Sequence, residues 1–316
     1  MENINKLIRN RKSMQSAILI ITIIALSSII TIVSPVFLTA RNLMNILLQV
    51  SVLGTVTAGM SMVMISGGID LSVGAMISMI GSVSAVLISR GINELIVIII
   101  ALSLAMLAGA LSGFIISMAK AEPFIITLGM MSVFSGIALV VTKGSNVGLS
   151  SRFSFAGRGS LGIIPIPVLV LIISNLIIAY VLRYLKFGRK IYSIGGNEET
   201  SFLAGINIKR DKIIIYMMNG LVVGAASLIL LSRLGSASPI MGTGFEMQSI
   251  AAAVIGGIAL AGGRGNIFGS FLGVLLLGIM SNSLNIIGVP SFFQNIILGL
   301  IIIVAVVISK LEFKQR

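Results

Sequence analysis

Long apolar runs, broken by short polar or glycine-rich intervals, make up most of this chain, and they reach the length of a membrane crossing. Hydropathy marks ten of them, at roughly 17–35, 46–66, 71–89, 95–117, 123–142, 163–185, 213–232, 247–262, 267–288 and 292–309. The runs are continuously apolar rather than alternating with a period of two, so they predict transmembrane helices and not the strands of a barrel. One run is short. Its 16 residues, 247–262, reach about 24 Å at about 1.5 Å per residue, against a hydrocarbon core of about 30 Å. It either begins nearer Thr243 or is broken or re-entrant. A large polar interval, about 186–212, separates the sixth and seventh spans, and within it 197–207 reads as a short amphipathic helix. Asn197 can cap it, Glu198 and Glu199 suit its first turn, Gly205 can end it, and Phe202, Leu203 and Ile206 give it an apolar face.

Composition agrees with the pattern. With 57% hydrophobic and 10% charged residues and a mean hydropathy of +1.14, the chain lacks the polar surface of a soluble domain. It reads as an all-α polytopic membrane protein, one transmembrane domain over 1–316. Lys6–Lys12 followed by Ala17–Val33 resembles a signal peptide, but the apolar run exceeds the usual 7–15 or so residues, so it is read as the first retained span. The sequence has no cysteine and no histidine, which leaves no thiol chemistry, no imidazole base and no expected metal site.

The net charge of +13 is informative through its placement. If the N-terminus is cytoplasmic, the inner segments hold 16 of the 22 Lys and Arg, including Lys120, Arg183–Lys212, Arg264, Lys310, Lys314 and Arg316. The outer segments hold six: Arg41, Arg90, Lys143, Arg152, Arg158 and Arg233. That bias puts both termini in the cytoplasm, and it explains the charge by topology and contact with anionic lipid rather than by nucleic acid.

Two glycine pairs echo each other. Gly67-Gly68-Ile69-Asp70-Leu71-Ser72-Val73-Gly74 aligns with Gly256-Gly257-Ile258-Ala259-Leu260-Ala261-Gly262-Gly263, each at a turn between spans. Related halves with glycine-broken helices along a transport path, and mere close packing of small residues, both account for it. Three acids stand near span starts. Asp70 is placed to cap the third span, Glu122 before Pro123 the fifth, and Glu246 the eighth. Asp70 also suits a pathway role, because an ionisable group at membrane depth is costly. No second carboxylate or base neighbours any of the three, so no catalytic residue is indicated.

Other signals are weaker. Gly262-Gly263-Arg264-Gly265-Asn266 has the glycine content of a phosphate loop but no Gly-Lys-Ser/Thr pattern, and reads as a tight turn. Met60, Met62, Met64, Met76 and Met79 read as packing before they read as a pliable gate. The outer interval 143–167 is either a solvated loop or a meeting place for an extracytoplasmic partner. In the large inner interval, by contrast, the short helix carries acids inside a basic loop. An acidic helix is ill suited to anionic lipid and better suited to a protein.

The chain resembles the permease subunits of ribose-type ABC importers, which serve monosaccharides and related small polar solutes. The residues that carry the likeness are Gly67–Gly74 as written above, Gly188-Arg189-Lys190-Ile191-Tyr192-Ser193-Ile194-Gly195-Gly196-Asn197-Glu198, Ala204-Gly205-Ile206-Asn207 and Ile250-Ala251-Ala252-Ala253-Val254-Ile255-Gly256-Gly257. The likeness runs from about Asn42 to Val307. It implies the vitamin B12-importer (type II) permease fold, with about ten spans, in the bacterial inner membrane.

It also implies partners: a second permease subunit, a cytoplasmic ATPase that binds the ATP, and an extracytoplasmic sugar-binding protein. Under it Asn197–Asn207 becomes the coupling helix that seats in the ATPase. Glu199 and Gly205 keep the Glu-to-Gly spacing of the wider "EAA" loop, although Thr200 and Ser201 replace its alanines. The implied mechanism is alternating access, with no cofactor and no catalysis in this chain. An ion-coupled secondary transporter is the rival, with Asp70 its one plausible coupling acid, and a scaffold or insertion factor is a more distant one. The sequence names no particular sugar.

Overall fold

The computed structural model describes residues 2–303 other than 120, 150, 151, 291, 295, 298 and 302, with the backbone alone over 2–13 and at 15. Among the described residues the helices up to Ile286 follow in order: α1 (Glu2–Val33), α2 (Ala40–Ile65), α3 (Val73–Ser89), α4 (Glu94–Ala119), α5 (Pro123–Thr142), the single turn α6 (Phe155–Arg158), α7 (Ile166–Tyr184), α8 (Lys186–Gly196), α9 (Glu198–Leu203), α10 (Ile208–Leu234), α11 (Phe245–Ile255) and α12 (Ile267–Ile286). Two tiny antiparallel ribbons pair β1 (Val147–Gly148) with β4 (Ser236–Ala237), and β2 (Ser160–Leu161) with β3 (Ile164–Pro165).

Among the described residues seven helices are long and apolar enough to cross a membrane, and shorter apolar helices stand at the other three expected spans: the seven are α1 over Ser16–Val33, α2, α4, α5, α7, α10 and α12. The expected third span is the 17-residue α3, and the expected eighth is α11, only 11 residues long. The tenth, 292–309, is described in part as an apolar helix over Phe292–Ile301, and Lys310, Lys314 and Arg316 lie outside the described residues.

Glycine turns end α2 and α11. After α2, Gly67 adopts φ 84° and the Gly68 N–H reaches back to the Val63 carbonyl at 3.0 Å. After α11, Gly257 adopts φ 86° and the Ile258 N–H reaches the Ala253 carbonyl at 2.9 Å. These are the same helix-ending turn, with a left-handed residue that glycine supplies without strain. The sequence echo is therefore a shared turn whose register is off by one: Gly67 answers to Gly257, not to Gly256.

The long helix α2 runs through the centre, packed by α10, α7, α12 and α11. Its interior hydroxyls donate back along the helix, Thr55 to the Ser51 carbonyl, Thr57 to Leu53 and Ser61 to Thr57, so no hydroxyl there goes unmet in an apolar interior. Asn42 and Asn282 exchange two amide hydrogen bonds, 3.0 and 2.9 Å, and tie α2 to α12. Met60, Met62, Met64, Met76 and Met79 are all core residues, so packing accounts for them. α4 and α10 touch backbone to backbone through Ala105, Gly109, Gly113, Gly220 and Gly224. Outward faces of α1, α4, α5 and α7 expose Ile, Leu, Val and Phe, as helices against lipid do.

Helix ends sort into two poles. The end of α2, the starts of α5 and α10, and α8–α9 lie together around one cleft. At the other pole Arg158 donates to the Arg233 carbonyl at 3.2 Å, Arg233 to the Leu48 carbonyl at 2.6 Å, and Glu94 accepts the Phe153 N–H at 2.8 Å. The basic residues assigned to different sides by charge counting thus part to different poles wherever these contacts fix them. Lys120, Ser150 and Ser151 lie outside the described residues.

Candidate functional site

The polar interval after α7 folds as two helices meeting at a corner. α8 packs its Gly188 against the Val181 and Leu182 carbonyls of α7 and buries Ile191 and Ile194. Asn197, extended at φ −162°, ends α8 and caps α9, its Oδ1 accepting the Thr200 N–H at 2.8 Å. Glu198 and Glu199 occupy the first turn of α9, where acids suit the helix dipole. At the far end Gly205, φ 82°, closes the helix, with the Ile206 N–H on the Ser201 carbonyl at 3.1 Å. The expected cap, acids and glycine stop all stand where the sequence puts them. Asn197→Ala should weaken α9 by about 1 kcal/mol. Amide exchange at Thr200–Leu203 should accelerate while thermal unfolding of the bundle stays the same.

The apolar face is another matter. Ser201 is the buried residue of α9, whereas Phe202 is 68% and Leu203 79% exposed. Among the described residues nothing covers them. Beneath the helix Glu198 meets Lys212 at 2.7 Å, and Lys190 meets the buried Asp211 at 3.3 Å, fixing α8 and α9 to the start of α10. The Tyr192 hydroxyl donates to the Gly265 carbonyl at 2.9 Å, and burial pushes that phenol above its ordinary pKa.

A cleft of about 1280 Å³ opens beside α9. Gly67, Gly68, Asn197, Glu198, Glu199, Phe202 and Gly205 line it together with Ser66, Glu122, Lys209, Lys212 and Tyr216. Seven of the expected site residues are thus gathered at one place. Leu203, Asp70, Glu246, Gly256 and Gly257 do not line it. A smaller hollow of about 320 Å³ at the opposite pole is lined by Leu48, Arg158, Ser160 and Arg233.

Asp70 is fully buried and does not itself occupy the cap position of α3, which is held by Ser72. Its Oδ1 accepts the Ser72 N–H at 2.9 Å and the Ser72 hydroxyl at 2.6 Å, and its Oδ2 accepts Asn219 Nδ2 at 2.9 Å. The expected cap is therefore a bridge from the helix break to α10. Asn219 lies eleven residues beyond the start of α10, roughly 16 Å along it at about 1.5 Å per residue, so the break sits well inside the bundle. Among the described residues the hydroxyl of buried Tyr216, one turn earlier, meets no hydrogen-bond partner, and neither does the Asn219 Oδ1. Neither residue was singled out from sequence, although an Asn in an apolar span is the signal that could have found it.

Glu246 does not hold the cap position of α11, which is Gly244. It is the second residue of α11, its Oε1 accepts the Gly244 N–H at 3.1 Å, and its Oε2 is buried against Gly74. Glu122 stands at the cap position of α5 ahead of Pro123, but its side chain makes no capping bond. Gly262 and Gly263 form the tight turn read from sequence, with φ 84° and 70°. Among the described residues no three acidic, His or Cys side chains converge as metal ligands would.

Comparison with known proteins shows the family. A family model described as branched-chain amino acid transport system / permease component matches residues 42–306. The ribose import permease protein RbsC of Escherichia coli (strain K12) is 40% identical over 295 residues, 92% of this chain and 92% of that protein. RbsC of Bacillus subtilis (strain 168) is 39% identical over 285 residues, 89% and 88%. The D-allose transport system permease protein AlsC of Escherichia coli (strain K12) is 37% identical over 281 residues, 88% and 86%. No solved structure matches. Matched over nearly its whole length by that model and by these permeases, the chain belongs to the branched-chain amino acid transport system permease family, among its ribose-type ABC permeases.

Proposed function

We propose that this chain is the membrane-spanning subunit of an ATP-driven importer that carries a monosaccharide, ribose or a similar small sugar, across the bacterial inner membrane by alternating access. It works beside a second permease subunit in a vitamin B12-importer-type fold, with the pole that bears α9 and both termini in the cytoplasm. ATP is bound and hydrolysed by a separate cytoplasmic ATPase, and an extracytoplasmic sugar-binding protein delivers substrate to the pole of Arg158 and Arg233. The names of the ribose and allose permeases support the sugar class. One observation carries the ATPase contact: α9 is fixed at both ends and from below, yet turns Phe202 and Leu203 outward. A helix held this rigidly while exposing its apolar face is pre-ordered for a partner's groove. The ion-coupled alternative is disfavoured because both oxygens of Asp70 are occupied by donors of the chain itself.

The reading is tested by copurification with the ATPase and by ATP-driven uptake. Replacing Phe202 and Leu203 together by Ala should cut both by about 10- to 30-fold, the effect of removing a central anchor of about 2 kcal/mol. Changing Glu199 or Gly205 should impair uptake as well. A complex that survives all of these with unchanged uptake would sink the coupling role of α9.

A further inference from the structure

Three stretches of backbone far apart in the chain meet behind α9 with only glycine surfaces between them. They are the end of α8 at Gly195, the end of α2 and its turn at Ile65–Gly67, and the turn at Gly262–Gly263 before α12. A Cβ on Gly195 would overlap the Ile65 carbonyl oxygen and come within 2.6 Å of the Gly263 nitrogen. One on Gly262 would lie 2.7 Å from the Cα of Gly67. The Gly263 N–H donates to the same Ile65 carbonyl at 2.8 Å. Two side-chain links brace the junction: the Tyr192 hydroxyl on the Gly265 carbonyl at 2.9 Å, and the Ser193 and Ser201 hydroxyls, 2.8 Å apart, joining α8 to α9.

We infer that this junction passes displacement of α9 to the two helix breaks, 66–72 and 256–266, and that Gly195 and Tyr192 are positioning residues for transport. The inference rests on the reading of α9 as the ATPase contact. Close-packed matter transmits strain, and a contact made by backbone alone has no rotamer with which to absorb a push. A shift of α8 therefore has to move the Ile65–Gly67 and Gly262–Gly263 backbones. The first of these leads directly into the segment that carries Asp70, itself held by Asn219 of α10.

Gly196 provides the control. Neither Gly195 nor Gly196 has a positive φ, and a Cβ on Gly196 would meet nothing within 4 Å, so the two alanine variants differ in the contact alone. The experiment reconstitutes the full complex, with ATPase and binding protein, in proteoliposomes and measures ribose moved per ATP hydrolysed. Gly195→Ala should still bind the ATPase and hydrolyse ATP, while the ratio falls about tenfold from overpacking at the junction. Gly196→Ala should stay close to the parent. Tyr192→Phe removes one hydroxyl without adding bulk and should lower the ratio about fivefold, the worth of one hydrogen bond. If Gly195→Ala does not accumulate, the Tyr192→Phe ratio decides. An unchanged ratio, or hydrolysis and uptake falling in equal proportion as for a residue that merely holds the fold, overturns the inference. A parent chain that fails to bind the ATPase removes the reading of α9, and this inference with it.

Discussion

Asp70→Leu should cost most of the folded protein, whereas Asp70→Asn should keep it. Leucine would leave the Ser72 N–H and Asn219 Nδ2 without acceptors in a place where Asp70, Ser72 and Asn219 are all fully buried. Each buried donor left unmet costs about 1 to 3 kcal/mol, so the pair amounts to about 2 to 6 kcal/mol, enough to deplete the native state of a marginally stable chain. Asparagine retains one oxygen for Ser72. Its amide nitrogen would face the Asn219 nitrogen, but the Asn219 Oδ1 has no partner, and turning that side chain over presents it as an acceptor. The turned Asn219 nitrogen is then the one donor left unmet, so the remaining cost should be about 1 to 3 kcal/mol, half that of leucine. Yield of monodisperse protein in detergent and its thermal midpoint distinguish the two variants. If Asn lowers uptake as far as Leu while protein level stays normal, the carboxylate acts in transport rather than as an acceptor for the helix break.

Gly109→Val should be nearly as damaging, for a steric reason. A Cβ there would overlap the carbonyl oxygen of Tyr216, and one on Gly220 that of Ala105, so α4 and α10 have no room between their backbones. Small residues are what allow helices in lipid to approach this closely, and the gain is lost when they are forced apart. Three extra carbons at the contact cost about 3 kcal/mol or more, since neither partner is a side chain that can swing away. The change would also displace the α10 segment that carries Asn219, so uptake should fail even in the fraction that folds. Gly129→Val on α5, where nothing lies within 4 Å, should leave the melting of the isolated chain unchanged. Equal midpoints for the two valine variants would show that the α4–α10 contact is looser than its geometry implies.

What the sequence made legible was local. Seven spans followed from apolar runs, because helix length against bilayer thickness needs no knowledge of partners. The cap at Asn197 and the stop at Gly205 followed from residues a few positions apart. The breaks did not come through cleanly, because hydropathy treats glycine as mildly apolar and runs on through Gly67 and Gly257. The echo was misregistered for a related reason: two adjacent glycines invite alignment by letter, yet the turn requires a left-handed backbone at one of them only. Asp70 looked like a cap alone because only its partner Ser72 is close in sequence, while Asn219 stands 149 residues away. The apolar stripe of α9 was legible as a face that something must cover, but that Phe202 and Leu203 stand exposed while Ser201 is the buried residue depends on how α8 and α10 hold the helix.

That separation of 149 residues has a consequence for biosynthesis. The segment 66–72 enters the bilayer region with a carboxylate and irregular backbone that lipid cannot satisfy, while the amide that will meet them has not yet been made. At about 5 to 20 residues per second the ribosome needs roughly 7 to 30 s to reach Asn219. During that interval the early helices have to wait beside the insertion machinery or in one another's company, and emergence of α10 ends the wait. The order of synthesis thus makes a late helix the latch on the first half of the bundle.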